Sequence, residues 1–249
     1  MHPYLHDIPS IRREASACGT STTESPEAVC YNILLDMQRK TRSHARKPIK
    51  KAAPKIRIVA RASLPTRFGP FEIFGIEGSS EQESAVALVH GRIRGRTPVV
   101  RLHSQCLTGD VLSSQRCDCR AQLELSLRRI SASPAGILLY LPQEGRGIGL
   151  MNKLRAYELQ DRGMDTVEAN EELGFEADSR DYAFSAEALK LLGVRRVRLL
   201  SNNPDKVQQL ESAGIRVVER VPCRPRTSHQ SRTYLETKRT KLGHFLEGL

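Results

Sequence analysis

From Ile56 onward the apolar residues follow a spacing that changes once, and that change restricts the fold more than any other feature of the chain. IRIVARA at 56–62, PFEIFGI at 70–76, SAVALVH at 84–90 and TPVVRLH at 97–103 are short apolar segments separated by Gly, Pro and polar clusters, the pattern of strands joined by tight turns. Past Cys119 the period lengthens. Cys119–Arg129 and Leu150–Asp161 have helical spacing and flank an unbroken apolar run, Gly136–Leu141, which reads as a strand covered on both faces. A βαβ unit follows: a helix from Ala186 to Leu192, a strand Val197–Leu200, the turn SNNP, a helix from Asp205 to Ala213 stopped by Gly214, and a strand Ile215–Val218. Strands first and alternation later predict an α/β protein: a layered αβα body about a mixed sheet, with a β-rich N-terminal half and a βαβ C-terminal half.

The preceding residues 1–55 have another texture. Arg39–Lys55 (RKTRSHARKPIKKAAPK) holds eight basic residues, no acidic ones and one large aliphatic side chain, too little apolar surface to order itself. The expectation is a disordered basic extension over 1–55, with Ala28–Met37 spaced for a short helix, and one catalytic body over 56–249. The net charge of +11 suits an anionic partner. For the extension, plain solvation competes with binding to RNA, a membrane surface or a protein. No apolar run approaches the ~18–20 residues of a membrane span. The first twenty residues lack a secretory apolar core, so the chain is expected to be cytoplasmic with its six cysteines reduced. Asp7, Glu14, Glu24 and Glu27 argue against an organelle transit peptide.

Four segments carry chemistry. RLHSQCLTGDVLSSQRCDC, residues 101–119, places Cys106, Cys117 and Cys119 in a C-x10-C-x-C arrangement after a strand, where three thiolates can converge on one tetrahedral zinc. The fourth position is open to water in a catalytic site or filled by His103 in a closed one; three unrelated core thiols are the remaining alternative. A zinc nucleobase deaminase, some of which use three cysteines, is a weak alternative because the H-x-E and P-C-x-x-C pattern is missing. PQEGRGIG, residues 142–149, surrounds Glu144 and Arg146 with glycines whose backbone N–H groups can approach an anion, though it matches neither common phosphate-loop motif. SNNPDK, residues 201–206, opens a helix whose N-terminus favours phosphate, with Lys206 as a further charge; simple capping, with Lys206 in water, competes. FEADSRDY, residues 175–182, sets Asp178 and Arg180 on one face of an extended segment, where a base and an activated partner compete with a surface ion pair. Tyr157 is by default a core or rim aromatic.

Together these segments resemble GTP cyclohydrolase II. The resemblance rests on RLHSQCLTGD, RCDC, GILLYLPQEGRGIGLMNKLRAYELQDRG, DTVEAN, LGFEADSRDY, KLLGV, LLSNNP and TKRTKLGH, which run in family order over roughly residues 56–246. It implies a zinc enzyme, cytoplasmic and homodimeric, that opens the guanine ring of GTP at the entry to riboflavin synthesis, with Mg²⁺ on the triphosphate. Cys106, Cys117 and Cys119 are then the zinc ligands, and the fourth position is left to water. The nucleotide contacts fall on Arg101, Leu102, His103, Ser104 and Gln105, on Gln122, on Glu144, Gly145 and Arg146, and on Thr166, Ser201 and Lys206. Asp178 is implied as proton acceptor, Arg180 as nucleophile toward the α-phosphate, and Tyr157 as a neighbour of the water that attacks the base. An arginine with a pKa above ~12 is a poor nucleophile near neutrality, so the pair could instead stabilise charge while water attacks.

The chain departs from the usual family pattern beside the cysteines, with Gln105 in place of Glu and Arg120 in place of Gly; Gly147 replaces Asn and Ser201 replaces Thr. Gln105 and Arg120 motivate a second reading, a paralogue that stops at ring opening or takes another nucleotide. A third, from the basic extension, is a noncatalytic nucleotide- or RNA-binding regulator on the same scaffold.

Overall fold

A computed structural model describes residues 56–80, 83–225, 240, 243 and 245. The expectations for residues 1–55, and most of TKRTKLGH, lie outside the described residues.

Seven strands form one sheet: β1 (Arg57–Thr66), β2 (Gly69–Glu77), β3 (Ser84–Gly91), β4 (Val99–Ser104), β5 (Ala135–Leu141), β6 (Arg196–Leu200) and β7 (Arg216–Val221). Their order is β1-β2-β3-β5-β4-β6-β7. β1 through β3 and the β3–β5 pair are antiparallel, whereas β4 lies parallel to β5 and β6, and β6 parallel to β7. The mixed sheet expected from the sequence is thus formed, with its antiparallel part made by short-turn strands and its parallel part by crossovers. The helices are α1 (Cys119–Ser131), α2 (Leu150–Asp161), α3 (Thr166–Glu172), α4 (Ala183–Leu191) and α5 (Pro204–Ser212).

The unbroken apolar run does become the most enclosed strand. Five of the first six side chains of β5, and the seventh, are buried, because apolar layers cover both of its faces. On one face Ile137 and Leu139 pack with Val100, Leu102, Ala186 and Leu189 of α4, and Leu210 of α5. On the other, Leu138 packs with Val99, Leu200, and Leu127 and Ile130 of α1. This gives the αβα layering.

Two elements differ from the sequence reading. α3 is absent from it, since seven residues are too few for a helical period to register; its start is nonetheless encoded, with Asp165 accepting from the backbone N–H groups of Val167 and Glu168 while Glu168 accepts from Asp165 N. The segment after β4 winds into a wide helical turn, Leu107–Val111, in which the Gly109 N–H donates to the Cys106 sulfur. The parallel strands β4, β5 and β6 all end their C-terminal edges on one side, and the loops leaving β4 and β5 carry the cysteine and glycine motifs. In open α/β sheets this is where ligands bind.

Candidate active site

The cysteines converge. Cys106 leaves β4, while Cys117 and Cys119 stand at the start of α1, and their sulfurs all lie within 4.8 Å of one another. Two sulfurs sharing one tetrahedral zinc at about 2.3 Å stand about 3.8 Å apart, and Cys106 and Cys117 are separated by 3.7 Å. The donor set and spacing fit zinc. Gly109 N donates to Cys106 Sγ at 3.4 Å. Gly109 packs closely against the trio: a Cβ added there would meet Cys117 Sγ at 2.8 Å, Cys119 Cβ at 3.0 Å and Cys106 Sγ at 3.1 Å. The hydrogen bonds from Cys117 and Cys119 lower the Cys106 pKa, and the shared hydrogen bond with Cys106 raises that of Cys117.

His103 does not join them. Its Nε2 contacts both oxygens of Asp110, at 3.0 and 3.1 Å, and its ring stacks on Tyr140. The closed three-cysteine, one-histidine site is therefore not formed. Burial lowers the His103 pKa against the opposing hydrogen bond from Asp110. Asp110 also accepts from Tyr140 OH at 2.9 Å and from Cys106 N at 3.1 Å, so this buried carboxylate pins the turn that carries the first cysteine.

A cleft of about 680 Å³, its mouth included, opens on the sulfurs. Ser104, Gln105 and the three cysteines line one part; Glu144, Gly145, Arg146, Thr166 and Arg180 line another, with Tyr157 between them. The glycine loop is shaped by backbone: Gly145 and Arg146 both adopt left-handed conformations, φ 61° and 62°, uncommon for an arginine. That geometry turns the Arg146 side chain inward. Its Nη1 donates to Ala177 O at 3.2 Å, while Nη2 is buried with no hydrogen-bond partner among the described residues. Glu144 is committed to protein: it accepts from Leu107 N at 2.6 Å, from Gly145 N at 3.1 Å and from Lys153 Nζ at 2.7 Å.

Asp178 and Arg180 do pair, but not on the surface. Arg180 Nε donates to Asp178 Oδ1 at 2.7 Å, Nη2 donates to Oδ2, and Nη1 reaches Ser104 Oγ at 3.4 Å, with both side chains largely buried. Burial alone would raise the Asp178 pKa; the Arg180 hydrogen bonds and charge outweigh it and hold the carboxyl below its usual range.

The remaining predicted contacts form a layer beneath the cleft. Arg101 donates to Leu200 O at 3.0 Å and to Gln122 Oε1 at 2.6 Å, leaving its buried Nε without a partner among the described residues. Leu102 belongs to the core and offers its carbonyl to Lys206 Nζ at 2.8 Å. Asn203 caps α5 by accepting from Asp205 N, and Ser201 Oγ accepts from Asn203 N. Capping is thus real, but Lys206 does not point to water: it is 5% exposed and sits 5.1 Å from the Tyr182 ring centroid, with the Arg180 guanidinium 5.8 Å from the same ring. Burial first, then the Arg101 and Arg180 charges, push the Lys206 pKa well down. Arg120 faces Glu124 and Ser113 rather than the cleft.

Lys153, Thr108, Gly109, Asp110 and Tyr182 were not singled out by sequence reasoning. For Lys153 a signal existed, since it precedes Tyr157 by four residues on a helix and so shares its face. For Gly109 none did, because the crowding arises from Cys117 and Cys119, eight and ten positions away, closing on the turn that Cys106 begins.

A family model for GTP cyclohydrolase II matches residues 57–222. The chain is 56% identical over 189 residues to GTP cyclohydrolase-2 of Escherichia coli O9:H4 (strain HS), covering 76% of this chain and 96% of that protein. It is 50% identical over 192 residues to GTP cyclohydrolase-2 of Buchnera aphidicola subsp. Acyrthosiphon pisum (strain APS), covering 77% and 99%. It is also 54% identical over 185 residues to the riboflavin biosynthesis protein RibBA of Bacillus cytotoxicus, covering 74% of this chain and 47% of that longer protein. Similarity at this level across the sheet, the cysteine turn and the glycine loop makes the chain a member of the GTP cyclohydrolase II family of hydrolases.

Proposed function

We propose that the protein hydrolyses GTP to 2,5-diamino-6-hydroxy-4-(5-phosphoribosylamino)pyrimidine, releasing formate and pyrophosphate, as the first step of riboflavin synthesis. The observation that carries this reading is that one cleft is lined both by three converging thiols and by the cations Arg146 and Arg180. Cys106, Cys117 and Cys119 would hold zinc, which when bound supplies Lewis acidity for hydrolysis at the guanine base. Mg²⁺ would arrive with the triphosphate.

The chain's own groups divide the remaining work. The buried donor left unpaired on Arg146 Nη2 suits a phosphate oxygen. Arg180, its fork held by Asp178, serves as a fixed positive charge against the α-phosphate while water attacks. A nucleophilic arginine fits less well: it would have to lose a proton while held in two hydrogen bonds to a carboxylate. Asp178 with a lowered pKa is an orienting anion and a weak base. Tyr157, with its hydroxyl 3.1 Å from Thr108 Oγ1 and its pKa raised first by burial, is a proton-bearing hydroxyl beside the thiols.

The test is purified protein with zinc, Mg²⁺ and GTP, followed by quantification of formate and pyrophosphate. Equal amounts are expected. Pyrophosphate without formate would favour the paralogue reading, which Gln105 keeps open because it lines the cleft beside Cys106; neither product, with zinc bound, would favour a binding role.

A further inference from the structure

The ammonium of Lys153 has no part in the reading above, yet three acceptors from two segments, the turn after β4 and the glycine loop, enclose it. Cys106 Sγ lies at 3.1 Å, Thr108 Oγ1 at 2.9 Å and Glu144 Oε1 at 2.7 Å. An ammonium has three protons, so this set accounts for all of them and fixes the group's orientation. The side chain is 11% exposed. One partner is a sulfur of the thiol trio. Another, the Thr108 hydroxyl, stands 3.1 Å from Tyr157 OH, and the ammonium is 5.6 Å from the Tyr157 ring centroid. α2 supplies both Lys153 and Tyr157 from one face, and the turn after β4 supplies both Cys106 and Thr108.

We propose that Lys153 is a positioning residue with two tasks: it is the fixed countercharge of the three-cysteine metal centre, and through Thr108 it aims the Tyr157 hydroxyl into the same cleft. The inference rests on the zinc reading of the cysteines. A dication held by three thiolates carries a formal charge of −1, which makes it a weak Lewis acid and costs solvation in a cleft closed on most sides. A hydrogen bond from a cation to one sulfur draws electron density from that ligand, as outer-shell partners do at other metal sites. Glu144, held by two backbone N–H groups besides Lys153, keeps the ammonium from swinging into solvent.

Cobalt(II) in place of zinc gives a readout apart from activity, because sulfur-to-cobalt charge-transfer absorption reports on the sulfurs themselves. Lys153→Met, similar in shape and without charge, is expected to shift that absorption to lower energy and to lower kcat about 10- to 100-fold, with KM for GTP changing less than about twofold. Thr108→Val should lower kcat in the same direction with a smaller spectral shift than Lys153→Met, since it cuts the path to Tyr157 and removes a hydroxyl 3.6 Å from Cys106 Sγ but leaves the Lys153–Cys106 contact. If Lys153→Met fails to fold because Glu144 is left unpaired, the Lys153→Met/Glu144→Gln pair supplies the spectrum. A merely structural lysine would lower Tm and leave the spectrum of the loaded protein as in wild type, and that result overturns the proposal. Wild-type protein that takes up no cobalt overturns the metal reading itself, and the countercharge falls with it.

Discussion

Replacing Gly109 by alanine tests the convergence of the thiols with one methyl group. Gly109 lies in the turn after Cys106 at an ordinary negative φ, so alanine meets no backbone strain and the effect is steric. Its Cβ would stand 2.8 Å from Cys117 Sγ, 3.0 Å from Cys119 Cβ and 3.1 Å from Cys106 Sγ. Carbon needs about 3.5–4.0 Å to a non-bonded heavy atom, so Cys117 Sγ must retreat by at least about 0.7 Å. Metal–ligand distances tolerate about ±0.2 Å. The displacement is several times that tolerance and acts on two ligands in different directions, so zinc binding should fail before the fold does. Overpacking of this size costs about 1–3 kcal/mol, a fall in Tm of about 2–12 °C for a body of this length. The measurement is zinc per chain by atomic absorption, with Tm and formate release on the same sample. A folded variant that keeps one zinc per chain and wild-type turnover would refute the argument that the cysteines packed against Gly109 are metal ligands.

The other predictions concern charge and local order. The Lys206 pKa is depressed first by burial and then by the Arg101 and Arg180 cations; a bound triphosphate reverses the sign of that field, so binding should take up a proton and weaken as pH rises, and calorimetry in buffers of different ionisation enthalpy would refute this by giving one buffer-independent enthalpy. Burial holds the His103 pKa below the ordinary histidine value of about 6.5, so the unfolded chain binds the extra proton below that pH and stability is lost as acid is added; His103→Asn should flatten the Tm slope there, and an unchanged slope counts against it. Asp165→Ala removes the side-chain acceptor of Val167 N and Glu168 N. It should cost about 1 kcal/mol and raise KM for GTP, because Thr166 opens that helix at the cleft wall; a normal KM would separate Thr166 from the nucleotide.

Much of the architecture was legible because it is local. The period-2 segments became β1 to β4, and α2 runs over the predicted Leu150–Asp161. α4 starts at Ala183 rather than Ala186, since Tyr182 and its neighbours are ordered by contacts from elsewhere, among them Gln209 accepting from Tyr182 N. The site was legible in identity more than in arrangement. Asp178 and Arg180 at two-residue spacing give a pair in either reading; what separates a surface bridge from a buried one is the wall built by Ser104, 76 positions away.

The sequence by itself determined the strand and helix periods, the thiol-bearing turn and the family, because each is written in spacing along the chain. Only the tertiary structure decided that Lys206 is buried against Leu102, that His103 turns to Asp110 and away from the sulfurs, that Arg120 stays outside the cleft, and that Lys153 stands against Cys106. Those are contacts between strands, turns and helices far apart in sequence, fixed by how the layers pack on the sheet, and a side chain's type does not record which neighbour it will meet.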